Sequence, residues 1–197
     1  MRIPRLAAIS ATLLLVISMA SGQQPPSAPK APARPGLTLT TTAFQDGGIV
    51  PEKYTQSGPN FVSPPLEWTN VPPNTQTFAL IVHDLDVARQ KSTADVLHWI
   101  IFNIPADTTS LPAGAGKPEG GGAPQGSIQS MTDFGQPGYG GPCPPPGHKP
   151  HRYIFTVYAL KTDQIPLQKE ASGAMAGFYL NQNVLKKASF TAKYGRK

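Results

Sequence analysis

The stretch GYGGPCPPPGHKPHRYIFTVY, residues 138–158, joins a loop rich in glycine and proline to an apolar run. β-Branched and aromatic side chains dominate the run from Tyr153 to Leu160, which predicts a β-strand. Proline fixes φ and glycine lets the backbone approach a neighbour closely, so the preceding residues predict a stiff loop. Such a loop at a strand end can present backbone N–H groups to a small polar pocket.

Three more segments upstream have strand character, and all are bounded by proline and glycine. They are Leu37–Thr42, which alternates, and Thr77–Asp84 and Val96–Asn103, which are nearly continuous apolar runs. Continuous apolar runs are typical of strands that are buried on both faces. Helical spacing is found only late, at Glu170–Tyr179 and Asn181–Lys187. The sequence therefore predicts a mainly β domain of two packed sheets with one or two short C-terminal helices.

Alternate residues of a strand share a face, which groups the side chains of the three central strands. The groups are Phe78, Leu80, Val82 and Asp84; Val96, His98, Ile100 and Phe102; and His151, Tyr153 and Phe155. Each group has its polar members at one strand end. If the three ends meet, they form a mouth lined by Asp84, His98, His151 and Tyr153 above an apolar floor.

The N-terminal residues have the pattern of an export signal. Arg2 and Arg5 precede an apolar stretch that is shorter than the roughly 20 residues of a membrane-spanning helix, and small residues follow. We predict a signal peptide over 1–22, a proline-rich linker over 23–36 and a single domain over 37–197. The mature protein is then periplasmic or secreted, without a lasting membrane span.

The net charge of +6 is modest, and the basic C-terminal tail has few aromatic residues beside it. This argues against a nucleic-acid partner, because such proteins usually carry a basic stripe with interleaved aromatic residues. Cys143 is the single cysteine and lies between two prolines. We interpret it as a small packed side chain rather than a nucleophile.

Several short motifs occur in an order that is typical of one family. They are SPPLEW at 63–68, DLD at 84–86, HWIIFNIP at 98–105, GYGGPCPP at 138–145, HRYIF at 151–155 and YGR at 194–196. In these motifs the chain resembles the phosphatidylethanolamine-binding protein family, in particular its bacterial, Raf kinase inhibitor-like branch. The resemblance covers about residues 38–196.

The resemblance implies a large β-sheet packed on a smaller one, with a pocket for phosphorylated or otherwise anionic headgroups. The residues that match the family's pocket are Asp84, Asp86, His98, Gly141, Pro142, His151 and Tyr153. Leu85 and Ala88 stand where the family commonly has proline, which predicts an altered pocket shape rather than its loss. His148 has no counterpart in the motif and is interpreted as a loop residue.

An anion pocket needs hydrogen-bond donors and a group that can carry positive charge. Gly140 and Gly141 could supply backbone N–H groups, Tyr153 its hydroxyl, and the two histidines their ring nitrogens. A carboxylate repels an anion, so Asp84 is expected to orient a histidine or to receive an ammonium group such as that of ethanolamine.

Other functions compete with this interpretation. The histidines could be ordinary buried residues. A metal could bind Asp84, Asp86, His98 and His151, although they lack a short paired spacing. A hydrolase could use Ser63, although it has no glycine elbow. The chain could also inhibit a protease or a kinase, but an exported protein would not meet a cytoplasmic kinase.

We therefore predict non-enzymatic binding of a small anionic or phosphorylated ligand, such as a phospholipid headgroup, with no metal and no cofactor. Inhibition of, or docking to, a protein target is the alternative.

Overall fold

The protein is described by a computed structural model that covers residues 35–87, 95–119 and 121–197. The predicted signal peptide and all but the last two residues of the predicted linker lie outside these ranges. Within the described ranges, no helix is long and apolar enough to cross a membrane.

In the described part of the chain, eight strands form two antiparallel sheets. The strands are β1 (Thr38–Thr40), β2 (Leu66–Thr69), β3 (Thr77–Asp84), β4 (Val96–Pro105), β5 (Ser110–Leu111), β6 (Ile128–Gln129), β7 (His151–Leu160) and β8 (Val184–Tyr194). The smaller sheet has the order β1-β2-β5, and the larger has the order β6-β4-β3-β7-β8. A short 3-10 helix (Glu52–Tyr54) and an α-helix, α1 (Gly173–Asn183), complete these elements.

Side chains from the two faces of the large sheet form two cores. The inter-sheet core includes Trp68 of the small sheet and Phe78, Trp99 and Phe155 of the large one. The helix-side core joins the opposite face of the large sheet to Ala176 and Leu180 of α1. Because β3, β4 and β7 are covered on both faces, their sequences are almost continuous apolar runs. The prediction of a mainly β fold with two packed sheets is confirmed.

A short C-terminal helix was predicted correctly, but its bounds differ from the predicted Glu170–Tyr179. The α1 helix begins after Ser172, whose hydroxyl accepts a hydrogen bond 3.2 Å long from the Met175 N–H, as an N-cap residue should. The second predicted helix, Asn181–Lys187, is the end of α1 followed by the beginning of β8. Strand β8 pairs with β7 along nearly its whole length, and this pairing outweighs the local helical spacing.

Candidate functional site

Three strand ends of the large sheet meet where the polar residues were predicted to meet. Asp84, the last residue of β3, pairs in register with Tyr153 of β7. His151 is the first residue of β7, and its ring is bonded to Asp84. The ring of His98 lies edge-on to Tyr153, with 5.1 Å between ring centroids. We call the cluster formed by these four buried side chains the polar mouth.

His98 reaches the polar mouth through a β-bulge that simple alternation does not predict. Val82 pairs with Trp99 and His83 pairs with Leu97, which leaves His98 as an extra residue in β4. The predicted grouping of His98 with Ile100 and Phe102 is therefore wrong. Those two residues lie in the helix-side core, whereas His98 contacts Tyr153 of the inter-sheet core.

Asp84 and His151 form a buried pair beneath the mouth. Oδ2 of Asp84 lies 2.6 Å from Nδ1 of His151, and the two residues are 2% and 1% exposed. A carboxylate can only accept, so Nδ1 of His151 carries the hydrogen. The other oxygen, Oδ1, accepts a hydrogen bond 2.9 Å long from the Asp86 N–H. Asp84 thus fixes the tautomer of His151, which is one of the two roles expected of it.

His98 is held in the same tautomer by the loop. Its Nδ1 contacts the carbonyl oxygen of Gly140, and the Gly140 N–H donates to the His98 carbonyl over 2.7 Å. A carbonyl oxygen only accepts, so Nδ1 of His98 carries the hydrogen and Nε2 is a lone pair in the neutral ring. Burial lowers the pKa of His98, although the Gly140 carbonyl and Asp84 oppose this effect.

The hydroxyl of Tyr153 is buried and makes no hydrogen bond of standard geometry with a described residue. The Tyr153 side chain has no exposed surface, and its hydroxyl interacts with the Asp84 carboxylate and the Cys143 backbone, although neither contact has standard hydrogen-bond geometry. Burial and the neighbouring carboxylate raise the pKa of Tyr153, so the hydroxyl keeps its proton and can donate. An unpaired buried hydroxyl is uncommon in a folded protein and calls for a functional or structural explanation.

The glycine–proline loop is pinned against the segment that follows the 3-10 helix. The Gln56 N–H donates to the Pro142 carbonyl over 3.1 Å. A Cβ on Gly141 would lie 3.0 Å from the Tyr54 carbonyl oxygen, so only glycine fits this approach comfortably. Of the two predicted backbone donors, the Gly140 N–H is already used by His98. Gly141 and Pro142 therefore shape the wall of the mouth.

Comparison with known proteins agrees with the resemblance noted in the sequence. The profile of the family named phosphatidylethanolamine-binding protein matches residues 40–195. This chain belongs to that family. The UPF0098 protein YbhB of Escherichia coli is 38% identical over 162 residues, which cover 80% of this chain and 99% of that protein. The UPF0098 protein YbcL of the same organism is 45% identical over 132 residues, 67% of this chain and 70% of that protein.

Solved structures of family members have the same fold. The crystal structure of Escherichia coli YbcL, described as a new member of the mammalian family, superposes with a TM-score of 0.76. It is 38% identical and covers 83% of this chain and 100% of its own. A family homologue from Chlamydia trachomatis gives a TM-score of 0.69 at 27% identity, covering 82% and 99%.

Asp86, the second family aspartate, faces Arg152. Its carboxylate accepts from the Arg152 backbone N–H (2.9 Å), Nε (2.8 Å) and Nη2 (2.9 Å), an arrangement that includes a bidentate ion pair. The Asp86–Arg152 ion pair and the hydrogen bond from the Asp86 N–H to Asp84 together fix the turn that contains Leu85. Leu85 stands where the family commonly has proline. Ala88, the other replaced position, lies outside the described residues. A direct role for Asp86 in ligand binding stays a prediction.

His148 adjoins the polar mouth, although its place in the sequence predicted only a loop residue. Its Nδ1 lies 3.3 Å from Nε2 of His151. The residue is positioned by a tight turn in which the His148 N–H donates to the Pro145 carbonyl over 3.2 Å. Gly147 has a φ of 79°, as the third residue of a type II turn requires. The Pro-Pro-Gly-His sequence is the signal that could have predicted this fixed position.

Cys143 and Arg196 border the mouth on the loop side. Burial raises the pKa of the Cys143 thiol, and nearby Arg196 opposes that shift only in part. The Arg196 Nε donates to the Pro144 carbonyl over 2.6 Å, which ties the chain end to the loop. A thiol with a raised pKa is a poor nucleophile at neutral pH, which agrees with a packing role for Cys143.

A larger depression lies on another part of the surface. It has a volume of about 750 Å³ and is lined by residues between Pro118 and Pro137 and by 168–170. Loop residues and strand β6 line it, and none of the residues of the polar mouth does. We place the candidate site at the polar mouth, because buried titratable groups lie there beside a buried hydroxyl without a hydrogen bond of standard geometry.

Proposed function

We propose that this protein binds small anionic ligands at the polar mouth, such as phosphate or a phosphorylated lipid headgroup, without catalysing a reaction. The observation that carries the proposal is the Tyr153 hydroxyl, which is buried, protonated and without a partner of standard geometry. A ligand oxygen that accepts from this hydroxyl would remove the cost of leaving it unpaired.

The surroundings of the hydroxyl suit a small ligand. His98 contacts Tyr153, His148 contacts His151, and the backbone of Cys143 lies beside the Tyr153 hydroxyl. Arg196 adds a cation at the loop side, where it approaches Cys143. The exposed ring of Phe134 stands next to His98, with 4.9 Å between ring centroids, and offers an apolar edge to a headgroup.

Two observations support binding without catalysis. The Ser63 hydroxyl, the nucleophile of the hydrolase alternative, is buried and accepts a hydrogen bond 2.9 Å long from the Gly116 N–H. Cys143, the other candidate nucleophile, has a raised pKa. A general base beside a reactive hydroxyl or thiol is what covalent catalysis requires, and neither side chain is bonded to a histidine among the described residues.

We also propose that the protein is exported. The support is the pattern of residues 1–22, with its basic start, apolar centre and small residues before Gln23. Detection of the protein outside the cytoplasm, with an N-terminus near Gln23, would support export. A cytoplasmic protein that keeps its N-terminal residues would contradict it.

Calorimetric titration tests the proposed function. Phosphate, phosphoethanolamine and phosphocholine are titrated into the wild type and into His151→Asn, whose amide can still donate to Asp84 but lacks the second ring nitrogen. Lys149→Ala, which removes a cation from the exposed loop surface, is the matched control. We expect saturable binding that His151→Asn weakens and Lys149→Ala preserves, with phosphoethanolamine ahead of phosphocholine if Asp84 receives an ammonium.

Absence of binding by all three ligands to the folded wild type would contradict the proposal. It would favour the alternative in which the family fold acts as an inhibitor or docking module for a protein.

A further inference from the structure

We propose that the polar mouth selects oxyanions that carry a proton of their own, such as hydrogenphosphate or a phosphomonoester monoanion, over those that carry none, such as sulfate. The inference rests on the proposed anion binding and specifies the chemical class of the ligand. Its basis is the set of hydrogen positions that the fold imposes on the two family histidines.

Neither family histidine offers a donor to the ligand while its ring is neutral. His98 donates its one N–H to the Gly140 carbonyl, so Nε2 has a lone pair and no hydrogen. His151 donates its one N–H to Asp84, so its Nε2 is an acceptor. In both rings the tautomer is set by an oxygen acceptor of the protein, the Gly140 carbonyl for one and the Asp84 carboxylate for the other.

His148 strengthens this assignment. Its Nδ1 approaches Nε2 of His151 at 3.3 Å, with 5.6 Å between the ring centroids, so the two nitrogens face each other. Since Nε2 of His151 is a lone pair, Nδ1 of His148 carries the hydrogen of this contact. The neutral mouth therefore contains two acceptors, the His98 lone pair and the Asp84 carboxylate, which already accepts from His151 and Asp86. The Tyr153 hydroxyl is its donor.

A ligand must match both kinds of group. Hydrogenphosphate has oxygens that accept from Tyr153 and one O–H that can donate to an acceptor of the mouth. Sulfate at neutral pH has only acceptors, so one of its oxygens would face a lone pair or a carboxylate. A sulfate oxygen that faces an acceptor of the mouth makes no hydrogen bond there and is repelled by it. Together these effects should reduce sulfate affinity by about tenfold or more.

The charged and titratable groups around the mouth come from every neighbouring element. They are Asp84 of β3, His98 of β4, His151 and Tyr153 of β7, Asp133 before the glycine–proline loop, Cys143 and His148 of that loop, and Arg196 after β8. Arg152 is neutralised by Asp86. With neutral imidazoles, Asp84 and Asp133 outnumber Arg196, so these groups supply no net positive charge for a dianion.

The test compares phosphate with sulfate by calorimetry at about pH 7.5. We expect phosphate to bind at least about tenfold more tightly than sulfate.

A variant isolates the cause. Asp84→Asn can keep a hydrogen bond to His151 while replacing a charged acceptor by an amide that also donates. In this variant the phosphate-to-sulfate preference at about pH 7.5 should fall by about tenfold, because sulfate binding improves. Asp107→Asn, an exposed site away from the mouth, should keep the wild-type preference.

Equal affinities for the two anions in the wild type at about pH 7.5 would overturn the inference while leaving anion binding intact. An unchanged preference in Asp84→Asn would overturn it as well. Failure of the wild type to bind either anion would contradict the proposed function itself.

Discussion

Oδ2 of Asp84 and Nδ1 of His151 are 2.6 Å apart, although 67 residues separate them in the chain. The antiparallel pairing of β3 with β7 brings the end of one strand to the beginning of the other, and both side chains are almost fully buried. The pair fixes the hydrogen of His151 and anchors the turn at Asp86. It therefore links the stability of the fold to the chemistry of the polar mouth.

Removing one member of this pair should destabilise the protein. In Asp84→Ala, the His151 N–H loses its acceptor in a buried setting, so we expect the free energy of unfolding to fall by about 3 kcal/mol. Asp84→Asn, which can still accept from His151, should cost less than half as much. Denaturant unfolding measures both, with the exposed Asp107→Ala as the control. A loss below about 1 kcal/mol in Asp84→Ala would show that the pair contributes little to stability.

The tautomers of the histidines can be observed directly. Two-dimensional NMR that correlates ring nitrogens with ring protons should show a hydrogen on Nδ1 and none on Nε2 for both His98 and His151 at about pH 7.5. His148 should also carry its hydrogen on Nδ1. A hydrogen on Nε2 of neutral His98 would contradict the bond to the Gly140 carbonyl.

His98 should make the protein less stable as the pH falls. Its pKa in the folded protein is lowered by burial, so below its ordinary value of 6.5 the unfolded chain takes up the proton before the folded protein does. The contribution is complete above that pH and is lost on acidification through the lowered pKa. It can change the free energy of unfolding by at most about 1.4 kcal/mol per pH unit.

Unfolding measured from about pH 7.5 to about pH 5.5 tests this. The slope of the wild type should exceed that of His98→Gln. His83, whose pKa burial also lowers, contributes a slope of the same sign, so His83→Gln measures that contribution separately. Parallel curves for the wild type and His98→Gln would contradict the assignment.

The loop should be sensitive to a methyl group at Gly141. An added Cβ would lie 3.0 Å from the Tyr54 carbonyl and 3.1 Å from the Gln56 nitrogen, both of which are backbone atoms. We expect Gly141→Ala to lower the free energy of unfolding by about 1–2 kcal/mol and to weaken phosphate binding, because the loop must shift.

Gly177→Ala is the matched glycine control. This position lies inside α1, and an added Cβ would meet no atom within 4 Å. Alanine favours the helix, so the variant should gain about 0.5–1 kcal/mol and keep its phosphate affinity. If Gly141→Ala behaved like Gly177→Ala, the loop would not be pinned as described.

The central strands could be predicted because strands that are buried on both faces have continuous apolar runs in the sequence. The apolar runs at 77–84 and 96–103 became β3 and most of β4. Strand β8 was missed because its exposed lysines and the preceding Asn181–Lys187 spacing resemble a helix. The alternation of Phe190, Ala192 and Tyr194, all buried, is the signal that could have identified it.

The convergence of the predicted side chains follows in part from the sequence, whereas the details of their arrangement do not. Asp84, His151 and Tyr153 follow from strand parity, since β3 and β7 pair without a register shift. His98 reaches the mouth through a bulge, and a bulge depends on the pairing of two strands rather than on either sequence alone. His148 depends on a turn whose direction only the folded loop defines.

Phosphate binding by Tyr153→Phe tests the proposed anion site most directly. We predict opposite effects on stability and on affinity. The free energy of unfolding should stay equal or rise by about 1 kcal/mol, because the removed hydroxyl is buried and has no hydrogen bond of standard geometry. Phosphate affinity measured by calorimetry should fall by about tenfold or more.

Tyr139→Phe provides the contrast in stability. The Tyr139 hydroxyl donates to the Tyr54 carbonyl over 2.9 Å, so its removal should cost about 1–3 kcal/mol. Tyr158→Phe, on the helix side of the sheet, controls for affinity. Weaker phosphate binding by Tyr153→Phe without loss of stability is the predicted result. Wild-type phosphate affinity in Tyr153→Phe would contradict the claim that this hydroxyl binds an anion.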